Sequence, residues 1–447
     1  INPTLKIFSN TWQDLAGCID GIQNGCCPVE GEERIVIWQP PDIDSPKFRP
    51  VTDRDLLILK MTVEDLSPEQ VAASSEASIA DINSALRQGL ESGIILGPRS
   101  KIMRTGQAST HKNPAPQDLV DFFKISRGFA LQWHITQACD LHCRHCYDRT
   151  PCESLSLKQE IAVLDTLYEF CNDHHVFGQV SFTGGNPLLH PHFHRLYREA
   201  SDRGFVIGIL GNPASGDEIE SLAAIQPPAF YQMSLEGLEP HNDYIRGPDH
   251  FQRVLGFLKI LREHEVYSKI MLTLTRDNMD QFIPLGMLLQ GIADVYTFNR
   301  LSLVGEGANL IMADPEDFRN FLNDYREAAE KYPVFDLKDN LFNIVLDNNR
   351  SALFGGCTGY GCGAAFNFVC VLATGEVHAC RKFPSPIGDI TRQSLTEIYH
   401  SQIAARYRKG PETCGSCHLN VVCRGCMAAL YSHGLDVFSD KDPYCFI

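Results

Sequence analysis

Cys139-Asp-Leu-His-Cys143-Arg-His-Cys146 is the stretch that decides how this chain is read. Its three thiols have the spacing CxxxCxxC and directly follow the strand-like run at residues 130–136. Three thiolates on one loop can hold three irons of a 4Fe–4S cube, which leaves the fourth iron open. An open iron can chelate the amino and carboxylate groups of a small molecule. Zinc is the rival, since His142 or His145 could complete a tetrahedral set.

Downstream the pattern alternates. Strand-like runs recur at residues 179–183, 205–210, 231–235, 269–274 and 295–301, with helix-like stretches at 156–170, 192–203, 251–263 and Pro315–Lys331. Six β/α units of this kind predict an α/β fold with a parallel sheet, either open or barrel-like, and of the two a partial (β/α)6 TIM-like barrel is the expected form. In β/α barrels the active site lies at the C-terminal ends of the strands, which is where the cysteine loop falls. Beyond about residue 350 Gly, Cys and short turns dominate, and a small metal-organised domain is expected. The expected boundaries are 1–110, 111–345 and 346–447, with a linker at residues 112–117.

The spacing and its place after the first strand resemble the radical S-adenosylmethionine superfamily. The resemblance implies that S-adenosylmethionine binds the open iron. Its reductive cleavage gives methionine and a 5′-deoxyadenosyl radical that abstracts hydrogen. It also implies that His145 and Tyr147, beside the third cysteine, lie near the adenine. Thr183-Gly184-Gly185-Asn186-Pro187 resembles the family's Gly-Gly-Glu turn, which meets the amino group of the methionine moiety. Here Asn186 stands in place of Glu; it can still accept a hydrogen bond but lacks charge. Ser234-Leu-Glu236-Gly237 resembles the ribose-binding strand end, with Glu236 the acceptor. Arg246, in His241-Asn-Asp-Tyr-Ile-Arg246-Gly247, reaches either a substrate carboxylate or a structural ion pair. Asn299-Arg300, at the sixth strand end, is a further candidate for the site lining.

The chain has 17 cysteines, nine of them between 357 and 445. In a long chain, short CxxC spacings indicate metal ligation in a reducing cytoplasm rather than a disulfide framework. Cys362 and Cys380 flank Gly375, then come Cys414-Gly-Ser-Cys417, Cys423-Arg-Gly-Cys426 and Cys445. This resembles the SPASM extension of radical enzymes, with one departure: two residues separate Cys423 from Cys426 where the family usually has three. The resemblance implies two auxiliary 4Fe–4S clusters, for three in all. Cys357, Cys362, Cys380 and Cys426 would hold the first, and Cys414, Cys417, Cys423 and Cys445 the second. Zinc ribbons are the rival. Residues 366–372 and 376–379 read as a hairpin, with Cys370 a buried small residue inside it. Cys18, Cys26, Cys27, Cys152 and Cys171 have no ligand spacing; the adjacent Cys26-Cys27 pair could be redox-active.

Before the barrel, residues 33–38 read as a strand and 53–61, 68–75 and Ile79–Ser92 as helices. Ser67-Pro-Glu-Gln supplies a helix start, and residues 93–97 read as a closing strand. That order predicts a winged helix. Ten basic against fifteen acidic residues in 1–110, with Arg87 the one basic residue of Ile79–Ser92, argue against DNA. The segment resembles the PqqD-like peptide-recognition element, which binds a leader peptide as an added strand.

The chain carries a formal net charge of −16, which disfavours nucleic acid as a partner. No apolar run is long enough for a membrane span. The chain opens at Ile1 rather than Met, which suggests trimming, and its polar start shows no secretory signal. The expected function is radical modification of a ribosomally made precursor peptide bound through its leader. A low-potential donor of the flavodoxin or ferredoxin type would supply electrons. The preferred product is a thioether between a Cys sulfur and carbon. A sulfatase-type maturase making formylglycine, or another peptide oxidation or epimerisation, is the alternative. That maturase family commonly has Asp after the hairpin cysteine, where this chain has Arg381. The alternatives outside catalysis are an iron–sulfur regulator and a peptide-binding protein.

Overall fold

The computed structural model describes residues 1–15, 28–41, 43–104, 123–150 and 152–447. Cys18, the Cys26-Cys27 pair and the expected linker at 112–117 lie outside the described residues. Two compact units form: Ile1–Arg99 with Asp202–Gly204, and Ser100–Ser201 with Phe205–Ile447.

The first unit is a three-stranded antiparallel sheet followed by three helices. Strands β1 (Lys6–Gln13), β2 (Val29–Trp38) and β3 (Lys47–Pro50) lie in the order β1-β2-β3, so β1 and β3 are both edges. Helices α1 (Asp53–Glu64), α2 (Pro68–Ser74) and α3 (Ile79–Ser92) begin at Thr52, Ser67 and Ser78, whose hydroxyls accept otherwise unpaired first-turn N–H groups. Val36, Trp38, Ile58, Leu59 and Ala85 make one core with Ile94 and Ile95. The expected closing strand at 93–97 does not form. Gly93 takes a left-handed φ of 77° to end α3, and Ile95 N–H returns to the carbonyl of Gly89. Ile94 and Ile95 plug the core instead of pairing as a ladder.

The second unit holds a nine-stranded sheet. Six strands run parallel in sequence order: β4 (Gly128–Thr136), β5 (Phe177–Gly184), β6 (Val206–Leu210), β7 (Phe230–Ser234), β8 (Ser268–Leu274) and β9 (Val295–Arg300). Helices α4 (Leu157–His174), α5 (Phe193–Asp202), α6 (Gly216–Ala223), α7 (Glu239–Arg246), α8 (His250–Glu263) and α9 (Phe282–Leu289) alternate with the strands, and α10 (Pro315–Lys331) and α11 (Phe342–Asn348) follow the last. The strands are near-continuously apolar because helices cover the sheet. Val180, Phe182, Ile207, Ile209, Ile270 and Leu272 are fully buried.

The expected hairpin forms as β10 (Phe368–Val371) and β11 (Glu376–His378), joined by β12 (Pro386–Asp389). The hairpin does not stand apart. β10 pairs parallel with β4, Phe368 opposite Ala130 and Val371 opposite Trp133, which extends the barrel sheet. Helix α12 (Leu395–His400) packs on α4: Tyr399 meets Phe170 edge-on at 5.1 Å, and Leu395 N–H donates to Thr166 Oγ1 at 3.0 Å. The short helices α13 (Gln402–Lys409) and α14 (Met427–Ser432) complete the cysteine-rich end. Cys370 and Cys171 are buried in these cores, and burial pushes each thiol up to about 12. Among the described residues no helix is long and apolar enough to cross a membrane.

Candidate active site and cluster ligands

The loop after β4 carries Cys139, Cys143 and Cys146, and it is held from three neighbouring strand ends. From β5, the Gly184-Gly185 turn lies hard against it. Gly184 has φ +136°, and a Cβ there would meet the Thr136 carbonyl oxygen at 2.1 Å; at Gly185 it would meet that of Ala138 at 2.2 Å. Gly185 and Asn186 N–H donate to those same carbonyls at 2.8 and 2.7 Å. From the end of β6, Asn212 Nδ2 donates to Asp140 Oδ1 at 2.6 Å and lies 3.5 Å from Cys139 Sγ. Asn186 Nδ2 reaches the same Asp140 oxygen at 3.0 Å. Burial alone would raise the Asp140 carboxyl, but these amides outweigh it and hold it below the usual range.

Beyond β7, Glu236 is a buried ionic centre. Its Oε1 accepts from Arg246 Nε at 2.9 Å and faces His145 Nε2 at 3.2 Å, and its Oε2 accepts from Thr273 N–H at 2.8 Å. Burial opposes ionisation there, yet His145 and Arg246 hold the carboxyl far below the carboxylate range. Arg246 Nη1 in turn lies 3.8 Å from Cys143 Sγ. Glu236, Arg246 and His145 therefore form a strut under the cysteine loop, and both carboxylate oxygens are engaged within the protein. Ser234 closes β7 just before this strut. Burial pushes the Cys143 thiol up, and Arg246 opposes that rise.

Tyr147 lies beneath Arg381, whose guanidinium is 3.4 Å from the ring centroid. Arg381 also lies within 3.2 Å of the His134 ring nitrogens and 3.3 Å from Asp148 Oδ2. The residue after Cys380 thus reaches into the cysteine loop and β4. Glu160 gathers two further histidines beside the β5 turn, His190 Nε2 at 3.0 Å and His192 Nδ1 at 2.9 Å.

The remaining ligand candidates sort by proximity. Burial pushes up the thiols of Cys357, Cys380 and Cys362, the last to about 11. Each is raised further by partners in one set: Cys426 acts on all three, Cys357 on Cys362, and Cys362 on Cys380. Cys414, pushed up by burial to about 11, is raised further by Cys417 and Cys445; Cys445 also acts on Cys417 and Cys423. Cys414, Cys417, Cys423 and Cys445 line one cavity of about 310 Å³, its open mouth included. Cys423 and Cys426 thus face different sets although two residues separate them. Asn340 sets the first group, accepting from Cys357 N–H at 2.7 Å and donating to the Gly425 carbonyl at 2.6 Å.

These donor sets fit iron–sulfur clusters. Buried thiols are costly to ionise unless a positive centre takes them up. Cations also stand ready beside them. Arg104 donates to the Cys362 carbonyl, and its Nε and Nη1 are buried with no partner among the described residues. Lys338, half-buried, lies beside Cys357. An anionic cluster bound by four thiolates would satisfy both.

Asn299 and Arg300 end β9. Arg300 is turned to structure: it pairs with Asp339 at 2.8 Å and, through both terminal nitrogens, with Asp442 at 3.0 and 2.9 Å. The sequence reading did not find Asp140, Asn212, His134, Arg104 or Asp442. A faint signal existed for two: Asp140 lies inside the cysteine motif, and Asp442 lies three residues before Cys445.

Residues 133–286 match the radical SAM superfamily, and residues 362–427 match the SPASM iron–sulfur cluster-binding domain. With the parallel sheet and the cysteine-rich end, the chain carries a radical SAM domain followed by a SPASM domain, the make-up of a radical SAM enzyme. That family binds S-adenosylmethionine and a 4Fe–4S cluster, and the SPASM domain indicates additional iron–sulfur clusters.

The chain is similar to particular members. It is 24% identical over 342 residues to the AdoMet-dependent heme synthase of Methanosarcina barkeri, covering 70% of this chain and 95% of that protein. It is 28% identical over 348 residues to the mycofactocin maturase MftC of Mycobacterium ulcerans, covering 70% of this chain and 87% of that one. In shape it resembles Streptococcus suis SuiB bound to the precursor peptide SuiA, with a TM-score of 0.58 at 17% identity, over 93% of this chain and 97% of that chain.

Proposed function

We propose that this enzyme modifies a ribosomally made precursor peptide by hydrogen abstraction. The reading is supported by the cysteine loop after β4 and by the cavity that Cys414, Cys417, Cys423 and Cys445 line together. Cys139, Cys143 and Cys146 would hold the catalytic 4Fe–4S cluster. Cys357, Cys362, Cys380 and Cys426 would hold the first auxiliary cluster, and Cys414, Cys417, Cys423 and Cys445 the second. When bound, the catalytic cluster supplies the electron that cleaves S-adenosylmethionine to a hydrogen-abstracting radical. Asn186, with Gly184 and Gly185, borders that ligand; His145 and Tyr147 border its adenine, and Ser234 its ribose. Glu236 and Arg246 act by holding His145 and the cysteine loop in place.

Three functional domains follow, at 1–110, 111–345 and 346–447. The first recognises the leader as a PqqD-like element, on an edge of its three-stranded sheet. The shape likeness to a maturase solved with its precursor peptide spans nearly the whole chain, first unit included. The preferred product is a thioether. Arg381, over Tyr147, puts a cation after the hairpin cysteine, which does not favour the formylglycine reaction. A reducing cytoplasm and a flavodoxin- or ferredoxin-type donor suit clusters of this kind.

A second reading, conversion of a haem precursor, is favoured by the heme synthase likeness, which spans 95% of that protein. Mass spectrometry of a co-expressed precursor peptide separates the two. A loss of about two daltons marks a cross-link or oxidation, and an altered α-carbon configuration at constant mass marks epimerisation. An unaltered peptide together with turnover of a porphyrin would establish the second reading.

A further inference from the structure

The resemblance implies a carboxylate for an ammonium group at the Gly184-Gly185 turn, and this chain has the uncharged amide of Asn186 there. The turn itself is undistorted. Gly185 and Asn186 are pinned to the Thr136 and Ala138 carbonyls at 2.8 and 2.7 Å, so the Asn186 side chain is delivered to the cysteine loop. Each end of that side chain already has a partner within the protein. Its Oδ1 accepts from Leu188 N–H at 3.3 Å, its Nδ2 donates to Asp140 at 3.0 Å, and the residue is only 5% exposed. A buried amide so committed has little left to offer a ligand.

Asp140 has the missing charge. It follows the first cluster cysteine, and a third of its side chain is exposed. Asn186 and Asn212 both donate to Oδ1, at 3.0 and 2.6 Å, which fixes the carboxylate plane. Asn212 also lies 3.5 Å from Cys139 Sγ, which ties the carboxylate to the cluster loop. The other oxygen, Oδ2, meets Arg253 at 3.4 Å, a long contact to a side chain that is 45% exposed. Such a pair contributes little and is easily displaced.

We propose that Asp140 provides the carboxylate that receives the α-ammonium group of S-adenosylmethionine, with Asn186 and Asn212 as positioning residues that aim it. In this chain the negative charge sits on the cysteine loop and not on the strand-end turn, and the two side chains are in contact. A charge-assisted hydrogen bond at a partly buried site is about twice as strong as a neutral one, so exchanging the two groups should be nearly neutral. This rests on S-adenosylmethionine occupying the open iron.

The test uses the full chain, reconstituted anaerobically with iron and sulfide. Affinity for S-adenosylmethionine is read by equilibrium dialysis, and ligation by the change it causes in the EPR signal of the reduced catalytic cluster. Asp140→Asn should keep its iron and bind S-adenosylmethionine about tenfold more weakly, the loss of one charged contact. The double variant Asp140→Asn/Asn186→Glu should regain most of that affinity. Wild type should prefer S-adenosylmethionine over the sulfonium analogue lacking the α-amino group, and Asp140→Asn should lose the preference. Wild-type affinity in Asp140→Asn overturns the proposal. Equal weakening for both ligands also overturns it, because Asp140 would then only order the loop. Should Asp140→Asn fail to hold iron, the double variant decides: recovered iron and affinity support the exchange, and failure to recover rejects it. A wild-type EPR signal indifferent to S-adenosylmethionine would overturn the underlying reading first.

Discussion

Arg300 and Asp442 form a buried two-pronged ion pair, with Nη1–Oδ1 at 3.0 Å and Nη2–Oδ2 at 2.9 Å, that joins the last barrel strand to the chain's cysteine-rich end. Asp442 also accepts from Cys426 N–H at 2.8 Å, and its carbonyl accepts from Cys445 N–H at 2.9 Å. One residue, through its carboxylate and its backbone carbonyl, thus holds a cysteine of each proposed auxiliary set. Asp442→Asn keeps the shape but leaves Arg300 short of a counter-charge. Removing the sole partner of a buried charge costs about 3–5 kcal/mol, and Asp339, which stays paired with Arg300, keeps the loss below that range. The expected outcome is a lower unfolding temperature and loss of auxiliary iron, read by calorimetry and iron counting. Full iron at unchanged stability would reject the role.

Cys139→Ala, Cys143→Ala and Cys146→Ala should each abolish formation of 5′-deoxyadenosine, because each removes one of three ligands from the cube with an open iron. Chromatography of the quenched reaction reads the product. Turnover at the wild-type level in any of them would reject the assignment.

Cys417→Ala or Cys445→Ala should lower iron below the roughly twelve atoms that three cubes hold. Both residues lie on the same cavity, away from the β4 loop. Some uncoupled cleavage of S-adenosylmethionine should survive, while peptide modification is lost. Unimpaired peptide modification would reduce the second auxiliary cluster to a structural role.

Deleting residues 1–105 should weaken binding of a labelled leader peptide while leaving cleavage of S-adenosylmethionine without peptide. The reason is that backbone pairing at a sheet edge would supply most of the affinity. Fluorescence anisotropy of the labelled peptide with full-length and truncated protein measures this. Equal affinities would leave the first unit structural, and tight, salt-sensitive DNA binding would favour a regulator.

Asp55 offers a test of how the first unit is held. Burial alone would raise its carboxyl, but Arg49, at 2.6 and 2.7 Å, and Thr52 N–H, at 2.9 Å, together hold it below the usual value. A depressed carboxyl stabilises the fold above the unfolded-state pKa of about 3.9, and that stability is lost as pH falls through the folded value. Asp55→Asn should therefore speed amide exchange in α1 and β3 at neutral pH. The difference from wild type should shrink in acid. A difference that does not change between pH 7 and acid would exclude the ion pair as its source.

The sequence by itself determined the local order of this chain. The six parallel strands, the helices Ile79–Ser92 and Pro315–Lys331, and the hairpin around Gly375 follow from periodicity, caps and turn residues, which act within a few positions. Cysteine spacing alone isolated the loop of Cys139, Cys143 and Cys146, because three ligands of one centre must be close in sequence to share a loop. Tertiary structure decided the rest, through contacts between distant residues. The ladder of β10 on β4 joins residues more than two hundred apart, and Ile94 and Ile95 chose a core over a strand. Glu236 reads as a ligand acceptor in one dimension, yet Arg246, His145 and Thr273 converge on it in three. The Asp140–Asn186 contact is of the same kind. Forty-six positions separate the two side chains, and only the Gly-Gly turn packed on Thr136 and Ala138 brings them together.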